Sequence, residues 1–307
     1  IIDEADGFTF SIKLNDIEAL YVSKFYIMIK LNGSIVKVEH FADNTQKIKV
    51  QEAFGSEHKI DWKYEDDSEL VTLIFLVKHM RNKDKNANII LNLWYIPNAR
   101  QDRVKKADEV FTLKYFAEII NDLNFKRVRV MDAHSSVSLC ALDRVEDLTP
   151  EEYIKETINR IYGKSSGDYE PVDDLVIYFP DDGAAKRYKD MPDLSTYEKI
   201  YGKKVRDWET REIIELKIVS DCNKCVQDII KDKRILMIDD IISSGKTLLK
   251  GAKILKEDLQ ASEIYAFASH VENVDKEGHG EGIKEALDLG YIEKVYTTNS
   301  LYNGSHD

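Results

Sequence analysis

One segment in the last third of the chain restricts the possible folds more than any other. Arg234 to Thr247 reads RILMIDDIISSGKT: an apolar run, two adjacent carboxylates and then a loop of small residues. A buried strand that leads through such a loop into a helix lets backbone N–H groups and the helix N-terminus surround a phosphate. The segment therefore predicts a strand, a phosphate-binding loop and a helix that begins near Leu248.

The side chains of this segment suit a phosphorylated sugar. The loop residues carry hydroxyls and a positive charge: Ser243, Ser244, Gly245, Lys246 and Thr247. Hydroxyls can donate hydrogen bonds to phosphate, and the paired acids Asp239 and Asp240 can accept hydrogen bonds from vicinal hydroxyls. A GxxxxGK[ST] nucleotide loop is excluded, because its first glycine is replaced here by Asp240.

Apolar runs of strand length alternate with helical patterns along the rest of the chain. The predicted strands are residues 89–95, 128–131, 175–179, 235–238 and 264–267. Helices are predicted from Thr112 to Asn121, from the Pro150 turn onward, and along a face that includes Leu248 and Leu259. This alternation implies right-handed βαβ units and a mostly parallel sheet. A length of 307 residues suggests two domains, with a boundary between residues 142 and 174.

The loop segment resembles the phosphoribosyl-diphosphate loop of type I phosphoribosyltransferases and ribose-phosphate pyrophosphokinases. In that family the two acids, here Asp239 and Asp240, hold the ribose 2- and 3-hydroxyls, and the loop holds the 5-phosphate. The resemblance implies an α/β fold of two similar doubly wound parallel-sheet domains. Residues 1–150 would form an ATP-binding domain and residues 151–307 a sugar-phosphate-binding domain.

An upstream motif favours the pyrophosphokinase branch over the transferases. Arg100-Gln101-Asp102-Arg103 follows the strand that ends at Tyr95, and it resembles an ATP-binding segment of the pyrophosphokinases. Arg100 and Arg103 could hold phosphate oxygens in bidentate fashion, which would also give Arg103 a catalytic role. Gln101 offers a donor and an acceptor to an adenine edge.

Two further segments resemble metal-binding and nucleotide-binding parts of that family. The predicted strand at residues 128–131 leads into Asp132-Ala133-His134, and His134 could bind ATP phosphate or ligate Mg²⁺. Pro180 to Arg187 reads PDDGAAKR and is similar to a Pro-Asp-x-Gly segment, whose acid, here Asp181, coordinates metal near the acceptor sugar. Mg²⁺ is thus the implied cofactor, with ATP as co-substrate.

The resemblance extends to a catalytic loop and to a subunit contact. Lys204 and Arg206 match a basic Lys-x-Arg of a mobile loop that stabilises the transferring phosphoryl group. Residues 41–45, FADNT, match in part a segment that reaches into a neighbouring subunit's ATP site. There Phe41 would stack on adenine and Asp43 would lie nearby, although Asn-Thr replaces the usual Gly-Glu. A dimer that completes the ATP site, or a hexamer, is implied.

The resemblance implies transfer of the β,γ-diphosphate of ATP to the anomeric hydroxyl of ribose 5-phosphate, a reaction of nucleotide biosynthesis. A longer acceptor, ADP-ribose, is the alternative, because Lys246 replaces a usual glycine beside the 5-phosphate pocket. ADP-ribose as acceptor would connect the protein to NAD metabolism. A phosphoribosyltransferase is disfavoured by the upstream ATP motif. A non-catalytic regulatory homologue is disfavoured because the paired acids and the basic pair remain.

Charge, hydropathy and cysteine content limit the binding partners and the compartment that we expect for this chain. The formal charge is −12, from 44 Lys and Arg against 56 Asp and Glu, which disfavours general nucleic-acid binding. No apolar run approaches the length of a membrane span, and no signal peptide is expected. Three cysteines, a low and odd number, fit a reducing compartment, so we expect a cytoplasmic protein.

Overall fold

The computed structural model describes residues 11–14, 17–20, 29–50, 56–164, 171–206, 213–222, 224–272 and 280–302. These fall into two compact units that divide between Thr149 and Pro150. The N-terminal unit holds the described residues 29–149. The C-terminal unit holds those from Pro150 onward, together with the hairpin strands β1 (Ser11–Leu14) and β2 (Ile17–Leu20).

The N-terminal unit is built on a six-stranded sheet with order β10-β9-β8-β7-β3-β4. Its strands are β3 (Ile29–Leu31), β4 (Ser34–Ile35), β7 (Glu57–Trp62), β8 (Asn88–Leu93), β9 (Arg127–Met131) and β10 (Val145–Leu148). Strands β7 to β10 run parallel, and β3 and β4 are antiparallel. A separate antiparallel hairpin consists of β5 (Lys37–His40) and β6 (Gln46–Lys49). The helices are α1 (Ser68–Lys83), α2 (Thr112–Asp122) and α3 (Ser136–Ala141).

The C-terminal unit contains an eight-stranded sheet with order β1-β2-β16-β15-β14-β11-β12-β13. Its further strands are β11 (Leu175–Phe179), β12 (Glu198–Arg206), β13 (Ile213–Ser220), β14 (Arg234–Ile242), β15 (Glu263–Val271) and β16 (Lys294–Thr298). The six strands from β2 to β12 in this order are parallel, and β1 and β13 are antiparallel edges. The helices are α4 (Glu151–Ile161), α5 (Asp182–Tyr188), α6 (Val226–Ile230), α7 (Lys246–Lys253) and α8 (Glu281–Asp288).

Both faces of this larger sheet are buried. Along β11, Tyr178 packs in one apolar core with helix residues such as Ala252, while its neighbour Ile177 packs in a second core with Ile154 of α4. Successive strand residues point to opposite faces, so helices α7 and α8 cover one face and α4 and α5 cover the other. This is the mostly parallel sheet that the strand and helix alternation predicted, in the doubly wound arrangement that the family resemblance implied.

The structure corrects several boundaries. Strand β14 continues through both acids to Ile242, because β15 still pairs with it as far as Val271. Helix α7 begins at Lys246, two residues before the predicted start, and a π-helical turn follows it at Ile254–Asp258. The pairing of β2 with β16 was not predicted. No helix in the described part of the chain is long and apolar enough to cross a membrane.

Candidate sugar-phosphate and nucleotide sites

The paired acids lie where β14 extends beyond its neighbour β11. The pairing of the two strands ends at Met237, whereas β14 reaches Ile242. Asp240 is buried, and its backbone N–H donates to Asp239 Oδ1 at 2.9 Å. Burial raises the pKa of Asp239 well above its usual range, and the nearby carboxylates of Asp240 and Asp181 raise it further. A concentration of negative charge of this kind favours hydrogen-bond donors and cations as ligands.

Helix α5 brings two more charged side chains to this place. Asp181 caps the helix, and its Oδ1 accepts from the backbone N–H groups of Gly183 at 3.0 Å and Ala184 at 3.2 Å. One turn on, Arg187 Nη2 lies 3.5 Å from Asp240 Oδ2. Arg187 was given no role from the sequence, since only the fold brings α5 beside the end of β14.

The small-residue loop packs directly against the start of α8. Gly245 has φ +73°, and a Cβ there would lie 2.5 Å from the backbone nitrogen of Ile283. Gly282 meets the loop from the other side, because its N–H donates to the Ser244 carbonyl at 2.8 Å. A Cβ on Gly282 would lie 2.5 Å from the Gly245 carbonyl carbon. Two glycines are therefore required at this contact, and Gly282 had no recognisable signal because it lies far along the chain.

The remaining loop side chains surround the start of α7. Ser243, Ser244 and Thr247 are partly exposed, and Lys246 is exposed. Since Lys246 and Thr247 lie in the first helical turn, their backbone N–H groups belong to the set that has no partner within the helix. Hydroxyls, helix N-terminus and one lysine are thus grouped at one edge of the sheet.

In the N-terminal unit, the Arg-Gln-Asp-Arg segment lies beside the start of α2. Gln101 Oε1 accepts from the hydroxyl of Thr112, the first residue of that helix. Arg103 Nε lies 3.0 Å from Asp102 Oδ1, and 72% of the Arg103 side chain is exposed. Arg100 is also exposed. The two guanidinium groups are therefore accessible to a ligand, while the Gln101 amide is oriented by α2.

His134 follows the end of β9 and is partly buried. The preceding turn is held by Asp132, which has φ +43° and donates its backbone N–H to the Leu148 carbonyl at 2.9 Å. A positive φ at a non-glycine residue is uncommon. The turn thus sets the direction in which the chain leaves β9 towards His134.

The residues from Phe41 to Thr45 form the tip of the β5–β6 hairpin. Asp43 Oδ1 accepts from the Thr45 backbone N–H at 3.0 Å and from its hydroxyl at 2.7 Å, and these hydrogen bonds lower the pKa of Asp43. Phe41 is 54% exposed, and Lys47 Nζ lies 6.0 Å from the centre of its ring. Asp43 therefore shapes the turn, and Phe41 presents an aromatic face to solvent.

Some candidates fall on side chains that the structure does not describe, or in separate units. Lys204 and Arg206 belong to β12, but their side chains lie outside the part of the chain that the structure describes. His134 and Asp181, the two candidate metal ligands, belong to different units. Within the described ranges, no group of three or more His, Cys, Asp or Glu side chains is placed to hold a metal ion.

Known proteins are similar to this chain in sequence over most of their length. No protein-family model matches the chain. It is 25% identical over 254 residues to a ribose-phosphate pyrophosphokinase from Pyrococcus furiosus, covering 82% of this chain and 83% of that protein. A ribose-phosphate pyrophosphokinase from Mycoplasma genitalium is 28% identical over 281 residues, with 89% and 77% covered.

A solved structure extends the likeness to three dimensions. The phosphoribosylpyrophosphate synthetase from Mycobacterium smegmatis superposes with a TM-score of 0.66 at 18% identity, covering 87% of this chain and 82% of that one. At this identity the comparison concerns the fold. Together with the paired acids and the loop of the C-terminal unit, these matches make the chain a divergent homologue of the ribose-phosphate pyrophosphokinases.

Proposed function

We propose that the protein transfers the β,γ-diphosphate of ATP to the anomeric hydroxyl of a ribose 5-phosphate unit and releases AMP. The observation that carries this proposal is the grouping of Asp239, Asp240 and the loop that begins α7 at one edge of the parallel sheet. Open α/β sheets bind ligands beyond the carboxyl ends of their strands. The names of the homologous proteins support the same reaction.

The sugar-phosphate would bind with its charged group at the loop. Backbone N–H groups of the first turn of α7 and the hydroxyls of Ser243, Ser244 and Thr247 would donate to the 5-phosphate. The ribose hydroxyls would then donate to Asp239 and Asp240. Arg187, whose Nη2 lies 3.5 Å from Asp240 Oδ2, would orient that carboxylate.

Mg²⁺ is the cofactor that the proposal requires, and the acids fit its charge. Burial, followed by the repulsion of the clustered carboxylates, raises the pKa of Asp239, so a divalent cation beside them would relieve that repulsion. Asp181, fixed by its bonds to the start of α5, would hold metal on the acceptor side, and His134 on the ATP side. When bound, the metal would neutralise charge on the phosphate oxygens.

On the donor side, the exposed Arg100 and Arg103 would bind phosphate oxygens of ATP, with Gln101 at the adenine edge. Lys204 and Arg206 would stabilise the transferring group. The exposed Phe41 supports self-association, in which the hairpin of one subunit stacks on the adenine bound to another. A dimer is the smallest assembly that would complete such a site.

Two molecules are candidates for the acceptor of the diphosphate group. Ribose 5-phosphate is the first candidate. Lys246 favours ADP-ribose as a second candidate, because its exposed side chain begins the same helix turn that would hold the 5-phosphate. A lysine in this position could contact a second phosphate.

The test is to supply ATP and Mg²⁺ with ribose 5-phosphate or ADP-ribose and to measure AMP. We expect AMP to be released only when one of the two acceptors is present. Release with ribose 5-phosphate alone would dismiss the longer acceptor. Absence of AMP with both acceptors would contradict diphosphate transfer, and consumption of phosphoribosyl diphosphate with a nucleobase would instead identify a phosphoribosyltransferase.

A further inference from the structure

A pocket in the N-terminal unit lies outside all the segments assigned to the proposed reaction. Its volume is about 590 Å³, and it is lined by residues of the β3–β4 region, the β5–β6 hairpin and the start of α1. Ile29, Val36 and Val38 supply apolar lining, and Gln46, Glu69 and Thr72 supply polar lining. The volume falls within the range of small-molecule sites.

The polar wall of the pocket is rigid. Thr72 Oγ1 donates to Gln46 Oε1 at 2.8 Å, and Gln46 Nε2 donates to the Ser68 carbonyl at 3.1 Å. These two bonds tie the hairpin to α1, so the pocket is formed without a ligand. Preformed pockets lose less free energy to ordering when a ligand binds.

Glu69 is the unusual member of this wall. It is 3% exposed, and its Oε2 accepts from Trp62 Nε1 and from the Glu65 backbone N–H, both at 2.9 Å. Its other oxygen, Oε1, is buried and has no hydrogen-bond partner among the residues that the structure describes. A buried carboxylate oxygen without a donor is costly, and no residue of the proposed reaction contacts Glu69.

The charges around Glu69 indicate what would complete its hydrogen bonds. Glu65 and Asp66 lie near it on the approach to α1, and the hairpin contributes Lys37, Glu39 and His40 to the lining. Glu39 is paired with Lys47 at 3.5 Å and with Lys49, so Glu65 and Asp66 are the acids whose charges act on Glu69. Burial, followed by the repulsion of Glu65 and Asp66, raises the pKa of Glu69 to about 7 in spite of its two hydrogen bonds. A positively charged donor would stabilise the ionised form.

We propose that this pocket binds a small organic cation, an amine or amidine on an apolar body, whose charged group donates to Glu69 and whose hydrocarbon part rests on Ile29, Val36 and Val38. The site is independent of the proposed diphosphate transfer. It lies between the hairpin that carries Phe41 and the start of α1, so occupancy would fix the base of that hairpin.

The test uses benzamidine as the probe and benzamide as its uncharged counterpart, at constant ionic strength. The Trp62 indole N–H bonds to Glu69, so its NMR signal, assigned with Trp62→Phe, reports binding at this place. We expect saturable shifts with benzamidine. The wild-type protein should bind benzamide about tenfold or more weakly than benzamidine. Glu69→Gln should bind benzamidine weaker than the wild type by a similar factor, which is the effect of one charge-assisted hydrogen bond.

Two further variants and a pH series complete the design. Val38→Phe should fill the pocket and abolish binding while the hairpin persists, and the exposed Glu65→Gln should change affinity much less than Glu69→Gln. Benzamidine remains charged from pH 6 to 8, so its affinity should rise with pH as Glu69 ionises and then level off. Three results would each overturn the proposal: equal binding of benzamide and benzamidine, equal affinity of Glu69→Gln and the wild type for benzamidine, or a pH dependence that persists in Glu69→Gln.

Discussion

At the residue scale, the site combines groups whose charges are controlled by their neighbours. Asp239 is pushed towards its neutral form by burial and by two other acids, whereas Asp240 has Arg187 within 3.5 Å. The two carboxyl groups therefore have different surroundings although the residues are adjacent in sequence: the pKa of Asp239 is raised, and Asp240 lies beside a guanidinium group. Sequence reasoning identified the acids but not Arg187, because the ion pair depends on the packing of α5 against β14.

Lys204→Ala should lower kcat by orders of magnitude and leave ATP binding nearly unchanged. A group that stabilises charge only as the phosphoryl group transfers affects kcat more than binding. Steady-state AMP release and ATP titration check this. Lys203→Ala, on the same strand and one residue away, serves as the control and should retain most activity. Equal losses in both variants would point to damage of β12 rather than to catalysis.

Glu69→Gln should stabilise the protein at pH 8 relative to the wild type. The folded pKa of Glu69 is about 7 and its ordinary value is 4.5, so the folded state retains a proton that the unfolded state loses. The carboxyl group of Glu69 therefore adds to the free energy of unfolding of the wild type at low pH, and this contribution declines as pH rises from about 4.5 to about 7.

The size of that effect is at most about 3 kcal/mol. Urea unfolding of both proteins at pH 5 and pH 8 measures it. The difference in free energy of unfolding between the two proteins should shift in favour of Glu69→Gln from pH 5 to pH 8. A difference that is the same at both pH values would show that Glu69 is ionised over this whole range.

At the element scale, the contact between the small-residue loop and α8 is decided by two glycines. The loop turns at Gly245 with positive φ, and both glycines leave no room for a Cβ. The sequence predicted a strand, a loop and a helix here, because apolar periodicity and small residues are local signals. It did not predict the partner of the loop, since α8 lies far along the chain and the fold, in which β15 pairs with β14, brings it there.

Gly245→Ala should destabilise the protein by about 1–3 kcal/mol and reduce activity more than stability alone explains. An alanine at this position would have to adopt an unfavourable positive φ, and its Cβ would displace the start of α8. Two controls separate these causes, with unfolding free energy and kcat/KM measured for each. Gly290→Ala has φ +68° in open space, and Gly282→Ala meets the loop without a positive φ. A Gly245→Ala protein no worse than Gly290→Ala would exclude the steric contact.

At the scale of the whole molecule, each unit has an apolar core made of its own residues. The C-terminal sheet nevertheless depends on the hairpin near the start of the chain, because β2 pairs with β16. Strand β16 has four consecutive buried residues, Val295 to Thr298. Without β2, this buried strand would become an exposed edge, which is a template for aggregation.

Expression of the two pieces should therefore give unequal results. A fragment of residues 23–149 should unfold cooperatively and remain monodisperse, since its core is complete. A fragment that begins at Pro150 should aggregate, and the same fragment with residues 1–22 fused after residue 307 should aggregate less. Circular dichroism and light scattering check this. A well-behaved Pro150 fragment would show that the β2 pairing is dispensable.

The sequence by itself determined what local patterns can specify: the strands at residues 175–179 and 235–238, the helix that begins at Thr112, the paired acids and the small-residue loop. Each of these depends on periodicity, composition or turn chemistry within a short window. Only the tertiary structure decided that β14 extends through Asp240, that Arg187 lies beside it, that Gly282 meets Gly245, and that Glu69 is buried in a pocket. These features arise from contacts between segments far apart in sequence, where burial and close approach control charge and conformation.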